Sequence, residues 1–439
     1  MPPAPSNRPD PDENPVPSVT PVRDRGDACP GALRLHTADD GALARVRVPA
    51  GVLSAAQAYA LADAAERLGD GALDITSRGN VQLRGLEPGC GGELARLLDA
   101  AGLLPAPRHE RVRNVVASPL SGLDGRGHLD VQPLVRDLDA LLCASARAPE
   151  LSGRFLFALD DGRGDMAEFA ADVMLLAEPG GAAVRVTVGG AAVRVRAEDG
   201  PRAMLLAANA FLDAAAASGT RAWRVRELPA AHAVSAADLR ARVAAAGLAA
   251  VATASPPCPD RAPGRESRPL VGAGHGAVYV AAPLGRLRAA QWRLVAGVAE
   301  RYGTGELRVT PWRGVVVPGA GPERLGALEA AGLVTDPASP WLGVGACTGR
   351  PGCAKSLADV RADATDLLPA GAGGLPVHWS GCERRCGHPR GARVDVVATG
   401  DAHYQVSTPG APPRTVPLTE LAGALAAART TTPTKTPTK

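Results

Sequence analysis

The sequence repeats itself at a distance of about 230 residues, and this duplication limits the folds that the chain can adopt. Residues 42–86 and 276–319 each give a short alternating strand, a Pro/Gly turn, an alanine-rich amphipathic helix, a glycine break and two strands. A further helix closes each unit, and both closing helices end on Ala-Ala-Gly-Leu. The sequence therefore predicts an α+β chain with two βαββα copies, a pseudo-twofold body and a site at the seam.

Local signals support the duplication. The first helix begins with a capping box formed by Ser54 and Gln57, and the two long helices end at Gly69 and Gly303. Alanine-rich helices can also look alike by composition alone. The shared order of five elements favours a true repeat, as do two matched threonine–arginine pairs, Thr76 with Arg78 and Thr310 with Arg313.

Each copy leads into a larger α/β segment, at 133–250 and 356–428. In the first segment the alternation of apolar residues predicts four strands and one helix. They are the strands 154–159, 172–177, 183–188 and 191–196 and the helix 201–217. In the second segment we expect a helix near 356–368.

Four cysteines lie in two short glycine-rich loops of the second copy only. Cys347 and Cys353 are separated by five residues, and Cys382 and Cys386 by three. Thiolate donors select iron–sulfur clusters, zinc or copper over hard cations. Because zinc loops usually space paired cysteines two to four residues apart, the wider first pair favours an iron–sulfur cluster. Structural zinc and unliganded cysteines stay open as alternatives.

Composition excludes several classes of function. The net charge is +3, with 48 basic and 45 acidic side chains, so we expect no nucleic-acid partner. No stretch reaches 18 uninterrupted apolar residues and no signal peptide is visible, so we expect a soluble, cytoplasmic protein without a membrane partner. A reducing compartment with a metal centre suits the cysteines better than disulfides. The remaining cysteines are interpreted as inert thiols: Cys29, Cys90, Cys143 and Cys258.

Arginines stand where predicted strands end or turn, rather than on helix faces. Lysine occurs only at positions 355, 435 and 439, so an anion site in the folded body must use guanidinium groups. Each arginine taken alone can be an ordinary surface residue. Together, beside a metal centre, they predict a cavity for a molecule with several carboxylates. The candidates are Arg45 with Arg47 around the first strand, Arg78 with Gln82, Arg113 with Asn114, Arg154 and Arg313.

These features resemble the sulfite and nitrite reductase superfamily over residues 29 to 425. The resemblance rests on the Cys-x5-Cys and Cys-x3-Cys pairs, on the Thr76, Arg78, Gln82 stretch and on Arg113-Asn114. It implies two ferredoxin-like half domains, a [4Fe-4S] cluster on Cys347, Cys353, Cys382 and Cys386, and arginines that grip a carboxylate-rich tetrapyrrole. The resemblance makes Arg45, Thr76, Arg78, Gln82, Arg113, Asn114, Arg154 and Arg313 the tetrapyrrole-binding residues.

Within the superfamily, the chain resembles the precorrin-3B synthases of the oxygen-dependent cobalamin pathway. CPGALRLHTADDG, LRVTPWRG, ACTGRPGCAKS and HWSGCERRCGHP carry this likeness. It implies hydroxylation of precorrin-3A at C-20 with O2 and formation of a γ-lactone. It also implies an additional non-haem iron. No flavin or NAD site is visible in the sequence, so we expect electrons from NAD(P)H through a separate reductase protein. No catalytic residue is assigned from the sequence.

One departure from the anion reductases supports this branch. The strand that carries two lysines in sulfite reductases reads Ser-Gly-Arg-Phe-Leu here, with Arg154 at one position and Leu156 at the other. A sirohaem-dependent sulfite or nitrite reductase is the alternative, and a zinc-binding module is a third. Candidate ligands of a second iron are His36, His378, Glu383 and His388, and each can also be a structural residue. Lys355 is either a hydrogen-bond donor near the cluster or a solvated side chain.

The domain boundaries are predicted as follows. Residues 1–27 and 429–439 are disordered ends, 28–104 and 270–336 are the half domains, 105–255 is an α/β domain without a cluster, and 337–428 is the cluster-binding α/β domain.

Overall fold

The computed structural model describes residues 27, 29–249, 251–252, 270–368, 374–389, 391–400 and 402–430. Most of the predicted disordered ends, and Cys258, lie outside these residues. The bounds of the six predicted segments remain predictions.

The first half of the chain contains one βαββα unit and one larger α/β segment. The unit consists of β1 (His36–Ala38), β2 (Gly41–Val46), β3 (Val52–Ser54), α1 (Ala55–Leu68), β4 (Ala72–Ile75), β5 (Val81–Leu86) and α2 (Gly91–Ala100). The segment consists of β6 (Val115–Ala117), α3 (Gln132–Ala144), β7 (Phe157–Asp160), β8 (Val173–Ala177), β9 (Ala183–Val188), β10 (Ala191–Arg196), α4 (Gly200–Ser218), α5 (Ala236–Ala245) and β11 (Val251–Ala252).

The second half follows the same order. Its unit consists of β12 (Gly272–Gly274), β13 (Ala277–Ala281), β14 (Arg286–Arg288), α6 (Ala289–Tyr302), β15 (Glu306–Val309), β16 (Gly314–Pro318) and α7 (Leu325–Ala330). Its segment consists of β17 (Val344–Ala346), α8 (Val360–Asp366), β18 (Val377–Ser380), β19 (Val394–Gly400), β20 (His403–Ser407), β21 (Arg414–Pro417) and α9 (Leu418–Thr430).

The two units exchange their edge strands. The first sheet has the order β1-β2-β5-β4-β14, and the second has the order β12-β13-β16-β15-β3. β3 of the first unit therefore pairs with β15 of the second, with Leu53 opposite Leu307, while β14 pairs with β4, with Leu287 opposite Leu73. Because each unit completes the other's sheet, both share one hydrophobic core.

Backbone details repeat between the units. The turn before each exchanged strand contains a residue at φ 52° and ψ 14°, Ala50 in the first unit and Leu284 in the second. The capping box of Ser54 and Gln57 is present, and α1 and α6 end at Gly69 and Gly303 as predicted. In the shared core, the indole Nε1 of Trp292 donates a hydrogen bond to the Ala58 carbonyl at 2.8 Å.

The two larger segments also repeat each other. In the first, β6, β7 and β8 are parallel and β9 and β10 continue the sheet antiparallel. In the second, β17, β18 and β19 are parallel and β20 and β21 continue it antiparallel. Parallel strands end at one edge of a sheet, which is where such sheets bind ligands. Each half therefore has one such edge, after β6–β7 and after β17–β18.

The predicted fold class is confirmed: the chain is a duplicated α+β fold with pseudo-twofold symmetry. The predicted strands and helices of the segments are observed within a few residues of their predicted ends. None of the helices in the described part of the chain combines the length and the apolar run needed to cross a bilayer.

Candidate cluster and anion site

The four predicted cysteine ligands come together at the end of the parallel strands of the second segment. Cys347 follows β17 directly, and Cys382 follows β18 after one glycine. The backbone N–H of Gly381 donates to the Sγ atom of Cys347 at 3.2 Å. Burial raises the pKa of the Cys386 thiol, and the other three thiols raise it further, so all four groups are neighbours.

The spacing of the sulfurs favours a cluster over a single zinc ion. A tetrahedral zinc site with Zn–S bonds of about 2.3 Å places its sulfurs roughly 3.8 Å apart. In the described part of the chain, no three of these cysteine sulfurs lie within 4.8 Å of one another. All four cysteines are free thiols. The arrangement is wider than a zinc tetrahedron and fits the thiolate set of an iron–sulfur cluster.

The first cysteine loop docks against the open face of the first sheet. Arg84 on β5 forms a buried, bidentate ion pair with Asp40 and donates a hydrogen bond to the Gly352 carbonyl at 2.7 Å. A Cβ atom at Gly352 would lie 2.7 Å from a carboxylate oxygen of Asp40, so a larger residue there would displace the Asp40 and Arg84 side chains. Arg361 links the Cys347 carbonyl to Asp74 on β4. The cluster loops therefore lie at the seam between the halves.

Arg313 lies beside the cysteine loops in a strained conformation. Its φ is +64°, which is unusual for a residue other than glycine. Its guanidinium lies close to Gly345, near Cys347, and to Gly387, next to Cys386. A Cβ atom added to either glycine would be 3.3 Å or 3.4 Å, respectively, from a guanidinium nitrogen. Burial lowers the pKa of Arg313, and Arg361 lowers it further. The structure thus brings this predicted arginine to the cluster loops.

The matched threonine turns are confirmed, but their arginines are not equivalent. In the first unit the N–H of Gly79 donates to the Thr76 carbonyl, and in the second the N–H of Arg313 donates to the Thr310 carbonyl. Gly79 has a φ of +66°, so Arg313 occupies the position of a left-handed glycine. The sequence comparison aligned Arg313 with Arg78, but the structural counterpart of Arg313 is Gly79, one residue further along. The error arose because each turn contains an arginine, at positions that differ by one residue.

A second set of arginines, which we call the arginine cluster, consists of Arg45, Arg47, Arg78 and Arg224. Burial lowers the pKa of Arg78 to about 10, and Arg224, Arg47 and Arg45 add to this effect. Burial also lowers the pKa of Arg45, with Arg47 as the next cause. Like charges that depress one another's pKa must be close together, so these side chains form one concentration of positive charge.

The arginine cluster has few carboxylate partners. Arg224 pairs with Asp172, but in the described part of the chain no carboxylate lies within 4.0 Å of the guanidinium nitrogens of Arg45, Arg47 or Arg78. Arg45 instead donates to the side-chain oxygen of Gln82 at 2.9 Å, and its buried Nε has no hydrogen-bond partner. Partly buried guanidinium groups without counter-charges are arranged to receive an anion.

Three of the predicted tetrapyrrole residues form hydrogen bonds inside the protein. Arg113 is buried and donates to both oxygens of Asp139 at 2.7 Å. Asn114 is fully buried, accepts from Asn80 and donates to the Phe155 carbonyl. The Thr76 hydroxyl accepts backbone N–H groups within its own turn. Because these polar groups are already bonded inside the protein, we do not include them in the proposed anion site.

Arg154 and Leu156, which stand where sulfite reductases carry two lysines, have different surroundings. Arg154 is exposed, and its guanidinium lies 4.7 Å from the ring centre of Trp223. Leu156 is buried in an apolar cluster with Met166 and packs near Trp312. Arg154 therefore lies at the rim of the arginine cluster, next to Gly153, whose carbonyl accepts from Arg47.

The candidate ligands of a second iron do not form a site. His378 is buried, its Nε2 lies 3.3 Å from the Cys386 carbonyl, and its Nδ1 has no partner. His388 pairs with Asp395, whereas His36 and Glu383 are exposed. Among the described residues, no three ligand atoms of these four side chains lie within 4.8 Å. Lys355 is exposed.

Sequence reasoning noted Arg47 beside Arg45 but missed Arg224 and Arg361. Period-two alternation places Arg47 on the same face as Arg45. Arg224 and Arg361 come from distant loops and helices, and no local pattern marks them. Their place in the site depends on tertiary packing.

Comparison with known proteins finds a matching protein family and several individual relatives. Residues 36–101 and 271–332 match the family described as the nitrite/sulfite reductase ferredoxin-like half domain. A ferredoxin–nitrite reductase of Synechococcus elongatus is 28% identical over 399 residues, which cover 81% of this chain and 76% of the relative. A precorrin-3B synthase of Sinorhizobium sp is 26% identical over 387 residues, which cover 85% and 81%.

A solved structure matches the whole arrangement. The NirA protein of Mycobacterium tuberculosis superposes with a TM-score of 0.66 at 21% identity, covering 87% of this chain and 79% of that one. At this level of identity the match establishes the fold. The two regions that match the half-domain family are the two βαββα units, with their exchanged strands.

Proposed function

We propose that this chain is an oxygen-dependent hydroxylase of the precorrin-3B synthase type. It has both half domains and the duplicated fold of the sulfite and nitrite reductase superfamily. The relatives that it matches are oxidoreductases. The substrate would be precorrin-3A, hydroxylated at C-20 with formation of a γ-lactone. One oxygen atom of O2 enters the substrate, and the other leaves as water with two electrons and two protons from outside.

The observation that carries the proposal is that two arginines of the arginine cluster, Arg45 and Arg78, are largely buried and form no ion pair among the described residues. Arg47 forms no ion pair either, but it donates to the Arg111 and Gly153 carbonyls and interacts electrostatically with Glu110. A carboxylate-rich tetrapyrrole would supply the missing negative charges through bidentate hydrogen bonds. Several such contacts fix both the position and the orientation of a flat macrocycle.

The cysteine site lies at the seam between the two halves, where Arg84 and Arg361 hold its loops against the first sheet. An iron–sulfur cluster on Cys347, Cys353, Cys382 and Cys386 would supply electrons one at a time. Arg313 would place positive charge between the cysteine loops and the bound macrocycle. We propose that the electrons come from NAD(P)H through a separate reductase protein in the cytoplasm.

The residues Arg154 and Leu156, at the positions of the two sulfite reductase lysines, favour the hydroxylase over an anion reductase. Reduction of sulfite or nitrite needs cations that hold a small anion and supply protons. Here Leu156 is buried among apolar side chains, and Arg154 stacks on Trp223 at the surface. Leu156 therefore offers no cation for a small anion, and the guanidinium of Arg154 lies against the Trp223 ring.

A sirohaem-dependent nitrite or sulfite reductase is the second candidate. The match to the Synechococcus elongatus nitrite reductase, over 81% of the chain, favours it. In that case the arginine cluster would hold the carboxylates of a bound prosthetic group instead of a substrate.

Anaerobic purification with a visible spectrum and counts of iron and acid-labile sulfide separates these functions. The hydroxylase predicts a broad brown absorption with sulfide and no sirohaem bands. Sharp sirohaem bands together with nitrite or sulfite reduction would support the reductase instead. A colourless protein with stoichiometric zinc would contradict both.

A further inference from the structure

The first half has a counterpart of the cysteine site. Cys347 follows β17, and Ser118 follows the equivalent strand β6. The N–H of Gly381, after β18, donates to the Cys347 sulfur at 3.2 Å; the N–H of Asp161, after β7, donates to the Ser118 hydroxyl at 3.2 Å. The same backbone-to-side-chain contact occurs at both sites, so Ser118 and Asp161 stand where the second half begins its cysteine ligands.

Three buried aspartates surround this position. One carboxylate oxygen from each of Asp160, Asp161 and Asp165 lies within 4.8 Å of the others. Their exposed fractions are 0%, 0% and 1%. Among the described residues this is the group of side chains whose ligand atoms come close enough to share one metal ion. We call it the aspartate cluster.

The hydrogen bonds of the aspartate cluster leave one oxygen unused. Asp160 accepts the backbone N–H groups of Gly162, Gly164 and Met166. The Oδ1 atom of Asp165 accepts the Ser118 hydroxyl at 2.6 Å. The Oδ2 atom of Asp165 is buried and has no hydrogen-bond partner. A buried carboxylate oxygen without a partner is costly, and it indicates a missing ligand.

The charges around the aspartate cluster do not balance. Arg163 forms ion pairs with both Asp161 and Asp124. One guanidinium therefore faces four carboxylates, namely these two with Asp160 and Asp165. The rings of His128, near Gly162, and His275, near Asp124, are the other titratable groups at this edge. Removing several like charges from water without compensation is unfavourable.

A bound proton does not resolve the arrangement. Protonation of Asp165 at Oδ1, with the Ser118 hydroxyl as the acceptor, would remove one negative charge but would leave Oδ2 buried without a partner. A metal ion satisfies both requirements, because it supplies positive charge and accepts lone pairs from several oxygens at once.

We propose that the aspartate cluster binds one hard divalent cation, as the oxygen-donor counterpart of the cysteine site in the other half. Oxygen-only ligands select Mg²⁺, Ca²⁺ or Mn²⁺ over the softer metals that thiolates bind. Asp165 supplies the free oxygen, Asp160 and Asp161 supply one each, and Ser118 orients Asp165 from behind. The proposal is independent of the reaction proposed above.

Titration with Mn²⁺ tests the proposal. Protein with its cluster intact is treated with EDTA, freed of chelator and titrated, and free Mn²⁺ is followed by electron paramagnetic resonance. We expect one tight equivalent per chain and a higher midpoint of thermal unfolding with Mn²⁺, because a ligand that binds only the folded state stabilises it. Competition with Ca²⁺ and Mg²⁺ then identifies the preferred ion.

The variant Asp165→Asn keeps the size of the side chain and removes its charge. It should bind Mn²⁺ more than about tenfold more weakly and lose the rise in the unfolding midpoint. The control Asp137→Asn changes an exposed aspartate on α3 and should bind as the wild type does. Absence of a tight Mn²⁺ equivalent in the wild type, or equal binding by Asp165→Asn, would overturn the proposal.

A second measurement localises the ion without any variant. Crystals of the wild type grown with Mn²⁺ should give an anomalous difference peak beside Asp165. A peak only at other residues would overturn the assignment, even if Asp165→Asn fails to fold.

Discussion

Arg313 combines two properties that rarely occur together. It has the left-handed φ of +64° that its counterpart Gly79 also adopts, and its guanidinium lies beside the glycines of the cysteine loops. A left-handed conformation costs a residue with a Cβ atom about 1–2 kcal/mol. The backbone is strained at Arg313 but not at Gly79, because glycine adopts this conformation freely. The strained residue indicates that the Arg313 side chain has a role at the cluster.

Replacing Arg313 by glycine separates its strain from its charge. Arg313→Gly should keep the free energy of unfolding unchanged or raise it by about 1 kcal/mol, because the backbone strain is relieved. The same variant should weaken tetrapyrrole binding, because the cation at the seam is lost. Chemical denaturation and ligand titration measure the two effects. A large loss of stability with unchanged binding would show that the side chain is structural.

Arg78 is the predicted anchor of the arginine cluster. Arg78→Gln should weaken binding of a porphyrin with eight carboxylates by about 10- to 100-fold, because a hydrogen bond to a charged group contributes about 1.5–3 kcal/mol. Fluorescence titration measures the affinity. Arg67→Gln, at an exposed ion pair on α1, is the control and should bind normally. Equal affinities of the two variants would exclude Arg78 from the site.

The pH dependence of binding should also report Arg78. Its pKa in the free protein is about 10, and a bound carboxylate would raise that value because it favours the charged form. The affinity should therefore be constant below pH 10 and fall by up to about tenfold per pH unit above it, as the free protein loses the proton that the complex keeps. Arg78→Gln should remove this step. A step that survives in the variant would assign the titration to another group.

At the scale of elements, β17 and β18 define the cluster by ending side by side. Cys382→Ser should abolish acid-labile sulfide and the brown absorption, because a cluster loses one of its four thiolates. Cys143→Ser, on α3 and beside Arg113, is the matched control and should retain both. Full sulfide content in the Cys382 variant would contradict the ligand assignment.

The exchanged strands β3 and β14 join the two halves into one folding unit. Leu53 and Leu287 are buried in the shared core, so Leu53→Ala should lower the free energy of unfolding by about 2–5 kcal/mol. Leu33→Ala, at an exposed leucine, should have little effect. Denaturation should show one transition for both halves. Two separate transitions would contradict the shared core.

At the scale of the whole molecule, the sequence predicted the duplication, its elements and the gathering of the cysteines. These features depend on local signals, such as the capping box at Ser54 and the glycines after α1 and α6. The strand exchange was not predictable, because β3 and β14 read as ordinary strands within their own units. The pairing of Arg113 with Asp139 and the burial of Asp165 were also invisible, since they depend on which distant chain segments meet.

At the same scale, isotope labelling tests the proposed hydroxylation of precorrin-3A directly. The anaerobically purified protein is mixed with precorrin-3A, a chemical or enzymatic electron donor and labelled O2, and the product is analysed by mass spectrometry. We expect a product that contains one labelled oxygen atom, formed only when the protein carries its iron–sulfur cluster. A substrate recovered without label, from a protein that shows sirohaem bands and reduces nitrite, would contradict the hydroxylase and establish the reductase.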